Sequence, residues 1–168
     1  MQMSNYIPDS EISTFNQSPT DAWMSISSDF FAVLELSQSI SLLTDGRFDI
    51  TIGPLVDLWG FGAGSYSDQK VPDVDLLAST LINVGWNNLV LDSQNRAIKK
   101  LRPISINLSA IAKGYGVDKV ADLLASKNIA NYLVEIGGEV RASGLNREDN
   151  PWRLGIEEPS LVQQSVQR

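Results

Sequence analysis

Residues 106–118 read Ile-Asn-Leu-Ser-Ala-Ile-Ala-Lys-Gly-Tyr-Gly-Val-Asp. The apolar beginning predicts a strand, the small residues after it a tight turn, and the spacing beyond that a helix, with Lys113 set at the junction. A junction of this kind presents unpaired backbone N–H groups that an anion can use. It is also how many strands simply join helices, with the lysine solvated, and the residues by themselves leave both readings open. Neither a full G-x-G-x-x-G nor a P-loop spacing is present.

Outward from this junction the helix continues with Val117, Val120, Ala121 and Leu124 on one face and closes at 128–131. Residues 132–136 read as a buried strand, Gly137-Gly138 breaks it, alternation resumes over 139–143, and 152–156 is a last strand. On the other side, 89–91 and 97–101 flank Ser93-Gln-Asn-Arg96 as a hairpin. Pro72 and Asp73 open a helix carrying Leu77, Leu81 and Val84, stopped by Gly85. Val33, Leu36, Ile40 and Leu43 recur at helical spacing from Asp29, with Asp45-Gly46 as the stop. Phe48-Asp-Ile-Thr-Ile52 alternates as a short strand ended by Gly53-Pro54, and 55–64 reads as a compact buried turn with three glycines. A short helix after Pro8 is capped by Asp9 or Ser10 and aligns Ile12 with Phe15. Residues 17–28 are polar and loop-like, and 160–168 carry no stopping signal. Helices, local antiparallel pairs and one crossover predict an α+β arrangement rather than a doubly wound sheet.

The bulk properties narrow the class. A chain of 168 residues is long enough for one core and one domain, 1–168. No apolar run approaches the roughly 20 residues of a membrane helix. Thirteen basic against twenty acidic residues give a net charge of −7, scattered along the chain, which argues against nucleic acid as a partner. A phosphate-bearing small molecule is compatible, since local N–H groups and one cation suffice to hold it. Cysteine and histidine are both absent. Disulfide and thiolate chemistry are therefore excluded within the chain, and acid–base work falls to carboxylates, Lys or Tyr. The first residues, Met1-Gln-Met-Ser-Asn-Tyr6, show neither a charged region nor an apolar stretch of the signal-peptide kind.

Several further features admit two readings. Arg47, Phe48 and Asp49 place a base, an aromatic ring and an acid at a strand entrance, where a flat ring could stack and Asp49 accept a hydrogen bond. They also suit a helix end followed by an amphipathic strand. Asp57-Leu-Trp-Gly-Phe-Gly62 reads as a packed corner. Lys99, Lys100 and Arg102 could form a phosphate patch, or a solvated face of a hairpin strand. Gly137-Gly138 inside a strand predicts a bulge or a close backbone approach.

Five collinear segments together carry a resemblance: "MSNYIPDSEISTFN" at 3–16, "DGRFDITIGPLVDLWGFG" at 45–62, "INLSAIAKGYGVDKVADLL" at 106–124, "YLVEIGGEVRASGLN" at 132–146 and "PWRLGIEEP" at 151–159. In this order they resemble the FAD:protein FMN transferase family, also called the ApbE family and formerly described as thiamine-biosynthesis lipoproteins. The resemblance implies an α+β fold and an enzyme that binds FAD with Mg²⁺. It implies transfer of the FMN half to a Thr or Ser hydroxyl of a target flavoprotein, with release of AMP. It also implies that Tyr6, Arg47, Phe48, Asp49, Asn107 and Lys113 meet the cofactor and that Ala110 helps ligate the metal.

Where the chain departs from the family pattern, further expectations follow. Alanine has no ligating side chain, so Ala110 could serve a hard cation only through its carbonyl oxygen. Family members commonly carry Asp where Asn107 stands. They are also longer, continuing into a "TSG" segment, a "His-x-x-Asp-Pro" segment and further metal ligands, so no catalytic residue is assigned here. A piece of a flavin transferase carrying part of the FAD site, with little transferase activity alone, is the expectation. The alternatives are a noncatalytic FAD-binding module and a Mg²⁺-dependent FAD pyrophosphatase. By the resemblance the compartment is periplasmic, as an inner-membrane lipoprotein, although neither a signal-like start nor a cysteine is seen.

Overall fold

Ser10 opens the first helix because its hydroxyl can do two things at once. It accepts a hydrogen bond from the Ser13 N–H and donates to the Ser4 carbonyl at 2.8 Å, so α1 (Glu11–Gln17) begins with a satisfied cap. The computed structural model describes residues 2–62, 71–157 and 166–167. They fall into two compact units, Met1–Ala112 and Lys113–Arg168. Each is described by itself.

In the first unit α1 buries Ile12 and Phe15. The Glu11 carboxylate reaches the Ser27 N–H and hydroxyl, and Ser27 in turn caps α2 (Ser28–Leu43) through the Phe30 N–H. The predicted helix is present, and its stop at Asp45-Gly46 holds, both residues lying at positive φ. The buried stripe, however, is not the predicted one. Leu36 is 50% and Leu43 84% exposed, whereas Phe30, Val33, Leu34, Ser37 and Ser41 face inward. Ser37 and Ser41 are tolerated there because each hydroxyl donates to the carbonyl four residues back, so no polar atom is stranded.

The hairpin follows the sequence reading. Strands β2 (Leu89–Asp92) and β3 (Ala97–Lys100) pair antiparallel with Leu91 opposite Ile98, around a turn in which Asp92 accepts from the Gln94 and Asn95 N–H groups. A third strand, β1 (Met24–Ser25), joins on the far side of β3, within a segment read as loop. Its two residues are too few to show a period.

Three further expectations change. Residues 48–52 form no strand: Asp49 turns back to accept from the Thr51 N–H, and only Ile52 pairs, in a single parallel bridge to Ser105. Gly53-Pro54 then starts a helix at once, α3 (Gly53–Leu58), where a buried turn was expected, with Pro54 in the first turn where its missing N–H costs nothing. Trp59 and Phe61 are exposed, so this is no packed corner, and Ala63 and Gly64 lie outside the described residues. Asp73 caps α4 (Val74–Leu81) as expected, but none of its residues is buried. The strand predicted at 106 is reduced to the Ser105 bridge plus one bond, Asn107 N–H to the Ile50 carbonyl at 2.7 Å, although Ile104, Ile106 and Leu108 are buried.

In the second unit α5 (Ala112–Ser126) packs Val117 and Ala121 against Val134, with Leu124 and Tyr132 beside them, while Val120 faces outward. Asn128 at positive φ closes the helix. Strands β4 (Tyr132–Ile136) and β5 (Glu139–Ser143) form a hairpin whose two-residue turn is Gly137-Gly138, both at positive φ. The pair is thus a turn of the kind a tight hairpin requires, not a bulge. In place of a strand over 152–156, Leu145 bridges Pro151, and β6 (Ile156–Glu157) pairs with β7 (Val166–Gln167). Residues 158–165 lie outside the described residues. Helices with short antiparallel sheets make the fold α+β.

The Ser10 cap gives a direct check. Ser10→Ala removes the acceptor for the Ser13 N–H and is expected to cost about 1 kcal/mol in urea denaturation. An unchanged midpoint would mean that α1 does not depend on this cap.

Candidate functional site

The first unit holds a polar cleft of about 240 Å³. Asn5, Tyr6 and Asn16 line it from α1 and the turn before it, Gly53 and Asp57 from α3, and Ser105 and Asn107 from the extended segment. What joins these walls is one side chain. The Asn16 amide donates to the Ile106 carbonyl at 3.0 Å and accepts from the Ile106 N–H at 2.8 Å, while Asn5 adds a second donor to the same carbonyl. A buried backbone position is thereby satisfied by side chains rather than by a neighbouring strand.

Gly53 is required by packing. A β-carbon there would stand 2.8 Å from the Ser105 carbonyl oxygen, so no larger residue fits the parallel bridge. Tyr6 is 66% exposed and stands in the cleft lining. Asp57 is the carboxylate in the lining, and desolvation by its surroundings raises its pKa above the usual carboxylate value. Asn107 accepts from the Ser109 N–H at 2.9 Å, which starts the turn into α5. An aspartate could do the same, so the Asn in this chain preserves the local turn and drops the charge.

Of the residues singled out by resemblance, the structure brings Tyr6 and Asn107 to one cleft. Arg47, Phe48 and Asp49 do not line it. Arg47 is exposed and donates to the Thr44 carbonyl at 3.3 Å, and the Phe48 N–H bonds the Thr44 hydroxyl. Asp49 is fully occupied: one oxygen accepts from the Thr51 N–H and hydroxyl, the other from the Trp86 N–H. Ala110 lies exposed in the turn 109–111 with only its carbonyl to offer. Among the described residues no group of three or more acidic or other ligating side chains could hold a metal ion.

In the second unit Lys113 is not a free cation. Its ammonium donates to the Gly137 carbonyl at 2.9 Å and pairs with Glu139 at 2.9 Å. That pairing holds the Glu139 carboxyl below its usual pKa. A β-carbon on Gly137 would meet the Lys113 stem at 3.0 Å, so the turn is also the close approach expected of these glycines. On the same hairpin Arg141 bonds Asp118 and Asp122 of α5, each at 3.0 Å, which raises its pKa further.

Lys100 corrects the reading of 99–102 as either a phosphate patch or a solvated face. It is 3% exposed, and its ammonium donates to the carbonyls of Phe15, Asn16 and Ile104. Its burial lowers its pKa. Lys99 instead sits 5.1 Å over the Trp23 ring. The sequence reading missed Asn16 and Lys100, whose partners lie up to 90 residues away and leave no local pattern, and it read Asp57 only as part of a packed corner.

Against known proteins, a family model described as the ApbE family matches residues 1–168. The chain belongs to the ApbE family. It is 45% identical over 166 residues to the FAD:protein FMN transferase of Vibrio cholerae, covering 99% of this chain and 49% of that protein. The corresponding protein of Haemophilus influenzae is 42% identical, with 96% and 47% covered. Among solved structures, the flavin transferase ApbE from Vibrio cholerae superposes with a TM-score of 0.88 at 41% identity, over 99% of this chain and 53% of that one. The Pseudomonas stutzeri flavinyl transferase ApbE in its apo form gives 0.84 at 32% identity, over 92% and 51%. The chain spans about half the length of the curated ApbE relatives it matches.

The Asn16 amide is the part of this cleft most open to test. Asn16→Ala strips the Ile106 N–H of its partner and is expected to destabilise the chain by about 2 kcal/mol in denaturant titration. A loss below about 0.5 kcal/mol would show that water replaces the amide without penalty.

Proposed function

We propose that this chain supplies the donor-binding part of an FAD:protein FMN transferase. The observation that carries the reading is the family match over the whole chain, joined to a cleft that gathers Tyr6 and Asn107. Relatives bearing that enzyme name support it. In the proposed reaction a Thr or Ser hydroxyl oxygen of an acceptor flavoprotein attacks the phosphorus of the FMN half. The bond from that phosphorus to the bridging oxygen breaks, AMP leaves with that oxygen, and the hydroxyl proton passes to solvent.

The cleft is smaller than the roughly 300 Å³ at which pockets for drug-sized ligands begin, so it fits one portion of the dinucleotide. Its lining of amides, hydroxyls and one carboxylate suits a neutral portion rich in hydrogen-bonding groups, with the Tyr6 ring able to stack on a flat one. Arg47 can meet a phosphate from outside the cleft. Asp49 has its oxygens engaged and acts by tying its own turn to the Thr51 and Trp86 N–H groups, with Phe48 between it and Arg47. Lys113 can meet a phosphate by sharing its ammonium with Glu139.

Mg²⁺ is the cation this reading calls for, and it demands near-octahedral oxygen ligands. The described residues offer the Ala110 carbonyl and no acidic cluster, so they do not make up that site by themselves.

Calorimetry of the chain with FAD is the test. Saturable binding is expected, weakened about fivefold to tenfold by Tyr6→Ala through loss of ring contact. Adding Mg²⁺ and an acceptor domain is expected to give little covalent flavin in a gel, since the described residues do not make up the metal site, and one AMP for each flavin that is attached. Absence of heat with or without Mg²⁺ would remove the donor-binding reading. AMP formed without acceptor would favour a pyrophosphatase.

A further inference from the structure

The buried ammonium of Lys100 has no role in the reading above, yet it bonds the backbone of Asn16, a residue of the cleft wall. It projects from β3 and makes 2.8 Å, 3.2 Å and 3.4 Å bonds to the carbonyls of Asn16, Phe15 and Ile104, with the Phe15 ring 5.3 Å away. An ammonium has three donors, and three carbonyls take them. Two of these carbonyls belong to the last turn of α1, which has no basic residue of its own. Helix-end carbonyls lack intrahelical partners and carry partial negative charge, so a cation there is stabilised without a carboxylate.

The three carbonyls come from the two pieces of chain that the Asn16 side chain also joins. Asn16 offers its backbone to Lys100 and its amide to Ile106, while Ile104 stands two residues before Ile106. The Phe15 carbonyl also accepts from the Ser18 N–H and hydroxyl. An apolar side chain of the same length would therefore avoid the cost of burying a charge but would take the ammonium away from the Asn16 and Ile104 carbonyls, the pair that links α1 to the later segment.

We propose that Lys100 is a positioning residue for the cleft: its ammonium pins the end of α1 to the 104–106 segment, in the register that lets Asn16 clamp Ile106 and set Asn107 in the wall. The ammonium, not the stem, performs this. The FAD readout below rests on the donor-binding reading, whereas the exchange readout does not.

The test uses the full chain. Lys100→Met keeps the stem and deletes the charge. The Ile106 amide is expected to exchange hydrogen for deuterium at least about tenfold faster, and FAD affinity to fall about tenfold. Lys99→Met on the same strand is expected to change neither. In Lys100→Ala, n-propylammonium replaces the deleted carbons and nitrogen, and it is expected to restore Ile106 protection where 1-propanol does not. Protection and affinity in Lys100→Met equal to wild type would overturn the proposal, as would equal rescue by 1-propanol. If Lys100→Met does not fold, recovery of the folded circular-dichroism spectrum of Lys100→Ala by the amine, and not by the alcohol, decides the matter. If wild type binds no FAD while Lys100→Met loses Ile106 protection, the donor-binding reading fails and the positioning role stands.

Discussion

The backbone of Ile106 is buried without a full strand beside it, and the first unit is organised around meeting that constraint. A β-ladder would supply partners for both its N–H and its carbonyl. Here the Asn16 amide supplies both, with Asn5 reinforcing the carbonyl, so the N-terminal helix and a segment 90 residues later are held by hydrogen bonds of side chain to backbone. Once Ile106 is held, Asn107 follows into the cleft wall, and its own N–H reaches the Ile50 carbonyl. Gly53 can then approach Ser105 closely enough to bridge it. Because unmet buried backbone groups are costly, this arrangement tolerates little slack.

The second unit solves a smaller problem with charge. Lys113 stands in the first turn of α5, where a cation opposes the helix dipole, and the Gly137 carbonyl and Glu139 offset that position. Arg141 ties β5 to two successive turns of the same helix through Asp118 and Asp122, which are spaced four apart and so share a face. These pairs are exposed and individually weak, so the packing of Val117 and Ala121 on Val134 carries the greater share of the cohesion.

Legibility in the sequence followed the range of the interactions involved. Asp73, Asn128 and the 93–96 turn act on neighbours within a few residues and are legible in the sequence, which also narrows the cap of α1 to Asp9 or Ser10, and the structure selects Ser10. The strand at 48–52 failed because alternation reports a surface but not a partner, and the partner segment offered a single bridge. The buried stripe of α2 was misplaced because serines that bond back to their own helix are invisible to an apolar count. For the candidate site, Tyr6 and Asn107 were named from a resemblance, and the structure places both on one cleft. The burial of Lys100 is not legible because a lysine in an edge-like hairpin is ordinarily solvated, and two of its three carbonyl partners lie more than 80 residues away.

By itself the sequence determined the starts of α1 and α4, the stops of α2 and α5, the β2–β3 hairpin and the family, since these rest on local backbone preference and on the order of motifs along the chain. Only the tertiary structure decided which face of α2 is buried, that 106 is held by amides instead of a strand, and that a lysine belongs in the core. The physical reason is common to all three. A polar group is stable in the interior only if a partner meets it there, and for Ile106 and Lys100 that partner is brought close by folding from a distant part of the chain.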